Sequence, residues 1–261
     1  MQPNRPVVLS FSGHDPSGGA GVQADIEAIV SQQCHSVSVI TALTEQDTQN
    51  VRNIVPQKPS QILSQAKTIL ADVPVNAFKI GLLGHLDTVL AIHEIITQYP
   101  SIPVVFDPVL AAGGGKDLSN NSLIKAINEL LVPYTTVLTP NSGEARRLTG
   151  LDDLIKCGLS LLSKHCQYVL ITGSHETTPE VCNLLFHDGR HIETYHWNRL
   201  PYQYHGSGCT LAASISALMS QGLDVTDAIA EAQEFTWNAL NAAYRPGKGQ
   251  HIPNRLYWVD E

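Results

Sequence analysis

Short runs rich in β-branched and aliphatic residues recur along this chain, separated by longer stretches whose apolar positions return every three or four residues. The runs at Pro6–Ser12, Val37–Leu43, Ala77–Leu83, Val104–Val109, Thr136–Pro140 and Tyr168–Gly173 predict strands. Between them the spacing of Ile62, Ala66, Ile69 and Leu70 places apolar side chains on one helical face, and Val22–Ser31 reads as a further helix. Alternation of this kind predicts a parallel sheet covered by helices on both faces. Two further strand-like runs, Cys182–His187 and His191–His196, flank Asp188-Gly189, a dipeptide suited to a tight hairpin turn. The pattern closes with two helices. Cys209–Ser220 is apolar nearly all round and so predicts a buried helix, whereas Val225–Tyr244 is amphipathic. The fold class expected is α/β: a mostly parallel central sheet, helices on both faces, and a short antiparallel edge. No repeat or linker divides residues 1–261, which read as a single domain.

Composition narrows the function classes. With 43% hydrophobic residues in 261, there is enough apolar material for one large core. A formal charge of −8 argues against a nucleic-acid surface, which needs clustered Lys and Arg. No window approaches the ~20 apolar residues of a membrane span, and the start of the chain lacks a secretory pattern, so no membrane partner is expected. Cys34, Cys157, Cys166, Cys182 and Cys209 show no CxxC spacing, and their odd count predicts reduced thiols and a cytoplasmic protein.

Chemistry concentrates at predicted strand ends. His205-Gly206-Ser207-Gly208-Cys209-Thr210 runs straight into the buried helix. Glycines there let first-turn amides converge on an anion, although a plain tight loop would use them too. Ser12 to Gly21 joins the first strand to its helix and carries Gly18, Gly19 and Gly21 without the GxGxxG spacing of a dinucleotide site. Asp15 and Asp25 are open to substrate contact or to capping. Asp107 follows an apolar strand and precedes Gly113-Gly114-Gly115, a triplet free enough to serve as a closing flap. Asn141 and Glu144 follow another strand. Either carboxylate alone could be a cap; together with an anion-binding helix start, Asp107 and Glu144 describe a site for hydrated Mg²⁺ and a nucleoside triphosphate.

In this order the motifs SGHDPSGGAG, TALTEQ, KIGLLG, FDPV, TPNSGE and HGSGCT resemble the hydroxymethylpyrimidine/phosphomethylpyrimidine kinases of the ribokinase-like superfamily, over nearly the whole chain from Val8 to His251. The resemblance implies ATP-dependent phosphorylation of 4-amino-5-hydroxymethyl-2-methylpyrimidine and then of its monophosphate, for thiamine biosynthesis. It implies Mg²⁺ held by Asp107 and Glu144, and ATP contacts from Asn141, Glu144, Thr172 and His205. It also implies a pyrimidine pocket of Gly13, Asp25, Gln46, Leu82 and Val109, phosphoryl transfer at Gly206, Ser207, Gly208 and Cys209, and a homodimer. Cys209 stands where ribokinase and many pyridoxal kinases carry Asp. At a helix N-terminus its pKa is expected to fall, so a role as proton acceptor and a role as weak donor or spacer are both open.

Two departures from the family pattern matter. A Lys-Gly-Gly-His segment is replaced here by Thr172-Gly173-Ser174-His175, which leaves the phosphate charge to Mg²⁺, to amides, or to Lys79, Arg199, His205 or Lys248. The usual Met of the Ile-Gly-Met motif is Leu82, a near-isosteric change. A pyridoxal kinase and a non-catalytic pyrimidine-binding regulator are the alternatives.

Overall fold

The computed structural model describes residues 5–111 and 119–259, so the glycine triplet at 113–115 lies outside the described residues. Nine strands form one sheet: β1 (Val7–His14), β2 (His35–Gln46), β3 (Val51–Pro56), β4 (Ala77–Ile80), β5 (Val104–Phe106), β6 (Val137–Leu138), β7 (Tyr168–Ile171), β8 (Glu180–His187) and β9 (Arg190–Asn198). Their order is β3-β2-β1-β4-β5-β6-β7-β8-β9. The run from β2 to β7 is parallel, and β3, β8 and β9 are antiparallel. After β1 the chain builds outward to β2 on one side and to β4 on the other. That reversal opens a crevice at the carboxyl ends of the strands, where doubly wound sheets bind ligands.

Alternate strand residues feed two cores. Leu9, Phe11, Phe78, Ile80, Val104 and Phe106 face one side, with α2 (Pro59–Asp72), α3 (Leu86–Gln98), α4 (Asn121–Ala126), α5 (Ser142–Thr149) and α6 (Leu154–Leu162) packed over them. Val8, Ala77, Val105, Val137 and Leu170 face the other, against α1 (Gly21–Ser31), α7 (Ser207–Ser220) and α8 (Val225–Asn241). Ten consecutive residues of α7, Cys209 to Leu218, are buried, which accounts for its all-round apolar sequence. Among the described residues, no helix is long and apolar enough to cross a membrane.

The structure departs from the sequence pattern at the first edge. β2 runs on to Gln46 and is followed by the unpredicted β3, which pairs with it antiparallel. β3 carries Arg52, Asn53 and a terminal Pro56, and most of it is exposed, so it lacks the apolar alternation that marks an inner strand. The sheet therefore has an antiparallel edge at both ends. The last long helix stops at Asn241, and Tyr244 instead bridges Ile252.

Candidate active site

Loops from five parallel strand ends meet the start of α7 around one pocket, lined by Ser12 to Asp15, Gln46, Leu82, Asp107, Val109, Asn141, Glu144, Thr172 and His205 to Cys209, among others. Gly206 makes the floor possible. It adopts φ +87°, and a Cβ there would lie 2.0 Å from the Gly19 carbonyl oxygen. Only glycine tolerates both that backbone and that approach. The first amide bonded within the helix is that of Thr210, to Gly206 O at 3.0 Å. The first-turn amides before it have no helical acceptor and carry the positive end of the helix dipole.

Gly21 is shaped the same way across the crevice. At φ +61° its Cβ would meet Gly13 O at 2.2 Å, so the turn into α1 folds tightly back on β1. Asp15 lies in this turn and accepts hydrogen bonds from Ser17 N (2.8 Å), Ser17 Oγ (2.7 Å) and Ala20 N (2.9 Å). It also faces His205 Nε2 at 2.8 Å. Burial alone would raise its pKa, but the bonds from His205 and Ser17 outweigh burial and hold it well below the carboxylate range.

The deepest part of the site is charged. Lys79 Nζ, fully buried on β4, contacts Asp25 Oδ1 at 2.8 Å and Ser12 Oγ at 3.2 Å. Ser12 in turn donates to Asp25. Burial would lower the ammonium's pKa, yet the charge of Asp25, followed by Cys209 and Asp107, raises it. Lys79 is thus held as a cation.

Asp107 and Glu144 line the same pocket, near enough for the charge of Asp107 to act on Glu144. Burial is the main cause that raises the pKa of both, and Asp107's charge raises Glu144 further. Glu144 is also half of a capping box. Its Oε2 accepts Asn141 N at 2.9 Å, Asn141 Oδ1 accepts Glu144 N at 2.9 Å, and Glu144 Oε1 accepts Leu110 N at 3.2 Å. The amides orient this carboxylate, and each oxygen keeps a further lone pair for a water or a cation.

Several expectations change. Asp25, expected to contact substrate, does not line the pocket: its carboxylate is buried behind it against Lys79 and Ser12. His205, expected on the nucleotide side, stands 3.3 Å from Gln46 Nε2 and beside Asp15, on the opposite side. The Cys209 thiol is not lowered by its helix. Burial, then the nearby Asp107 and Asp25, push it up to about 12 against the pull of Lys79. A thiol held protonated in this way does not suit a base. Of the four cations proposed to meet the phosphates, Lys79 and His205 line the pocket. Arg199 instead donates to the carbonyls of Ser174 (2.8 Å), Glu176 (2.8 Å) and Thr178 (3.0 Å), and Lys248 is exposed outside the pocket.

The loop after β7 is consequently a rigid wall. Arg146 Nη1 and Nη2 also grip Glu176 Oε1 and Oε2 at 2.7 and 3.0 Å, a bidentate pair. Thr172 is bridged to Asn141, and Ser142 N donates to Thr172 O at 2.9 Å. The remaining expected residues, Gly13, Gln46, Leu82, Val109, Asn141, Ser207 and Gly208, all line the pocket. Val51 and Tyr204 also line it, and sequence reading missed them; Val51 opens the unpredicted β3, so no strand pattern announced it.

Comparison with known proteins agrees with this geometry. Residues 15–254 match the phosphomethylpyrimidine kinase family. The hydroxymethylpyrimidine/phosphomethylpyrimidine kinase of Haemophilus influenzae is 31% identical over 261 residues, covering 97% of this chain and 96% of its own. The thiamine biosynthesis bifunctional protein ThiED of Geobacter sulfurreducens is 33% identical over 98% of this chain, which spans about half (54%) of that longer protein. Among solved structures, an ADP complex of Bacillus subtilis pyridoxal kinase superposes with a TM-score of 0.91 at 28% identity, covering 99% of this chain and 100% of that one. The match covers every residue that lines the pocket except Ser12, Gly13 and His14, and the chain belongs to the phosphomethylpyrimidine kinase family.

Proposed function

We propose that this protein transfers the γ-phosphoryl group of ATP to the hydroxymethyl oxygen of 4-amino-5-hydroxymethyl-2-methylpyrimidine, and then transfers a second phosphoryl group to the monophosphate, for thiamine biosynthesis. The observation that carries the reading is the placement of Gln46, the Gly206–Cys209 helix start, Asp107 and Glu144 on one pocket. Gln46 offers an amide donor and acceptor to an aminopyrimidine edge, while Gly13, Leu82 and Val109 supply apolar walls. The α7 amides receive the negative charge that develops on the transferred group. ATP lies along Asn141 and Thr172, with the Arg199-bound loop as its outer wall.

Mg²⁺ fits the donor set: two adjacent buried carboxylates whose pKa values are raised, one of them by the other's charge, gain from a shared divalent cation. Asp107 and Glu144 would hold it through water, and it would supply charge neutralisation between the phosphates. Because the transition state of phosphoryl transfer is loose in most analyses, positioning and electrostatics dominate and no strong base is required. Cys209 then serves as a small neutral group at the start of α7, and Lys79 holds Asp25 and Ser12 beneath the reacting centre.

Pyridoxal phosphorylation is the second reading, favoured by the close superposition with the Bacillus subtilis pyridoxal kinase. The chain works as one kinase domain in the cytoplasm, where its five free thiols stay reduced. A homodimer is supported by the exposed apolar pair Leu43 and Val55, which face each other across the β2–β3 edge. The deciding experiment measures ATP turnover with the pyrimidine alcohol, its monophosphate and pyridoxal as separate acceptors, with products resolved by charge. Transfer to both pyrimidines is expected; transfer to pyridoxal alone would replace this reading, and binding without turnover would make the protein a sensor.

A further inference from the structure

One buried cation takes no part in the pocket described above. Arg255 is 1% exposed and sits beneath the crevice, one residue beyond the segment that matches the family. Each nitrogen of its guanidinium serves a different element. Nη2 donates to Gly19 O at 2.5 Å, in the turn before α1. Nε donates to Thr210 Oγ1 at 2.8 Å, in the first turn of α7, and Nη1 meets Glu27 Oε2 of α1 at 2.9 Å. The Thr210 hydroxyl, having accepted from Arg255, donates its own proton to Gly206 O at 2.8 Å. The Arg255 carbonyl is fixed as well, accepting Ser31 Oγ at 2.6 Å.

We propose that Arg255 is a positioning residue for phosphoryl transfer, one that fixes the acceptor-side turn at Gly19 against the anion-binding turn at Gly206. The two turns are in direct contact: a Cβ on Gly206 would lie 2.0 Å from Gly19 O and 2.8 Å from Arg255 Nη2. Their separation sets the distance between an alcohol held over β1 and a phosphate held over α7. In-line transfer is sensitive to that distance, and a displacement of about 1 Å can cost about 100-fold in rate. A planar fork is the side chain that satisfies three diverging acceptors at once, and a lysine ammonium at the end of a flexible stem does not reproduce it. The inference rests on the kinase reading above.

Thr210→Val and Arg255→Lys test it beside Ile95→Ala, a core truncation in α3 on the opposite face of the sheet. Thr210→Val leaves the guanidinium in place and cuts only its link to Gly206, so it tests the proposal even if the lysine variant does not fold. Turnover, KM for ATP and KM for the pyrimidine are measured where circular dichroism shows each protein folded. The expected result is a kcat lowered about 10-fold in Thr210→Val and about 100-fold in Arg255→Lys, with pyrimidine KM little changed and Ile95→Ala near the parent rate. Parent-like kcat in both site variants overturns the inference while leaving the kinase reading intact. An equal fall in Ile95→Ala also overturns it, since general loosening would then suffice. A parent protein that transfers no phosphate removes the kinase reading and the inference together.

Discussion

Asp15 and His205 stand 2.8 Å apart although 190 positions separate them in the chain. Their contact closes the pocket between the turn after β1 and the turn before α7. Because the Asp15 carboxyl is held well below its ordinary pKa, folding favours its charged form. The resulting stability is present above the unfolded value, about 4, and is lost as pH falls from there toward the lower folded-state value. Asp15→Asn is expected to cost about 2 kcal/mol near neutral pH, the loss of a charged hydrogen bond. Urea unfolding of both proteins across the acidic range checks it: the gap between them should stay constant down to about pH 5 and shrink below that. A gap that widens in acid would place the loss elsewhere.

Gly206→Ala is expected to abolish most turnover. The added methyl group would force Gly19 and the helix start apart. Misplacing oxyanion-type donors typically costs about 100-fold or more in kcat. Steady-state kinetics should show the loss mainly in kcat, with a folded protein by circular dichroism.

The protonated, buried Cys209 leads to an expectation opposite to that for a nucleophilic thiol. Cys209→Ser keeps a small neutral group at the start of α7 and should retain turnover within about 10-fold. Iodoacetamide near neutral pH should spare Cys209, whose thiol sits near 12, and reach the half-exposed Cys182 first. Peptide mass mapping reads the order of labelling, and rapid alkylation of Cys209 would contradict its assignment as a neutral, buried thiol.

Acceptor and nucleotide contacts should separate under mutation. Gln46→Leu is expected to raise the pyrimidine KM about 10-fold with little change for ATP, since an unpaired polar edge of the ligand costs a hydrogen bond. Arg199→Ala frees three carbonyls of the loop after β7 and should act in the reverse sense, raising the ATP KM several-fold. Two-substrate kinetics on the pair would show whether the two sides are as distinct as the structure draws them.

Much of the site was legible because its loops must carry unusual residues. Asp107 and Asn141 follow strand ends and Gly206 and Gly21 stand at helix starts, where apolar pattern gives way to glycine and acid. What the sequence hid was direction. Asp25 lies in a helical stripe with Val22, Ala28 and Ile29, a spacing that marks it as inward-facing; considered beside Asp15 without that spacing, it stays open to substrate contact. His205 adjoins the anion loop in sequence, but φ +87° at Gly206 turns the chain so that the ring falls on Asp15. β3 was missed because an exposed edge strand needs no apolar face. Arg255 carried no local signal, since its partners lie on α1 and α7, far away in the chain.

The crevice is assembled from opposite ends of the polypeptide. Gly13, Gln46 and Val51 come from the first hairpin and its neighbours, whereas Asn141, Thr172 and Gly206 to Cys209 come from the second half. Part of the acceptor wall and most of the phosphate site thus occupy separate stretches of one polypeptide. Substitutions at Gly13, Gln46 or Val51 therefore change the pocket wall without altering Asn141, Thr172 or the start of α7 in sequence.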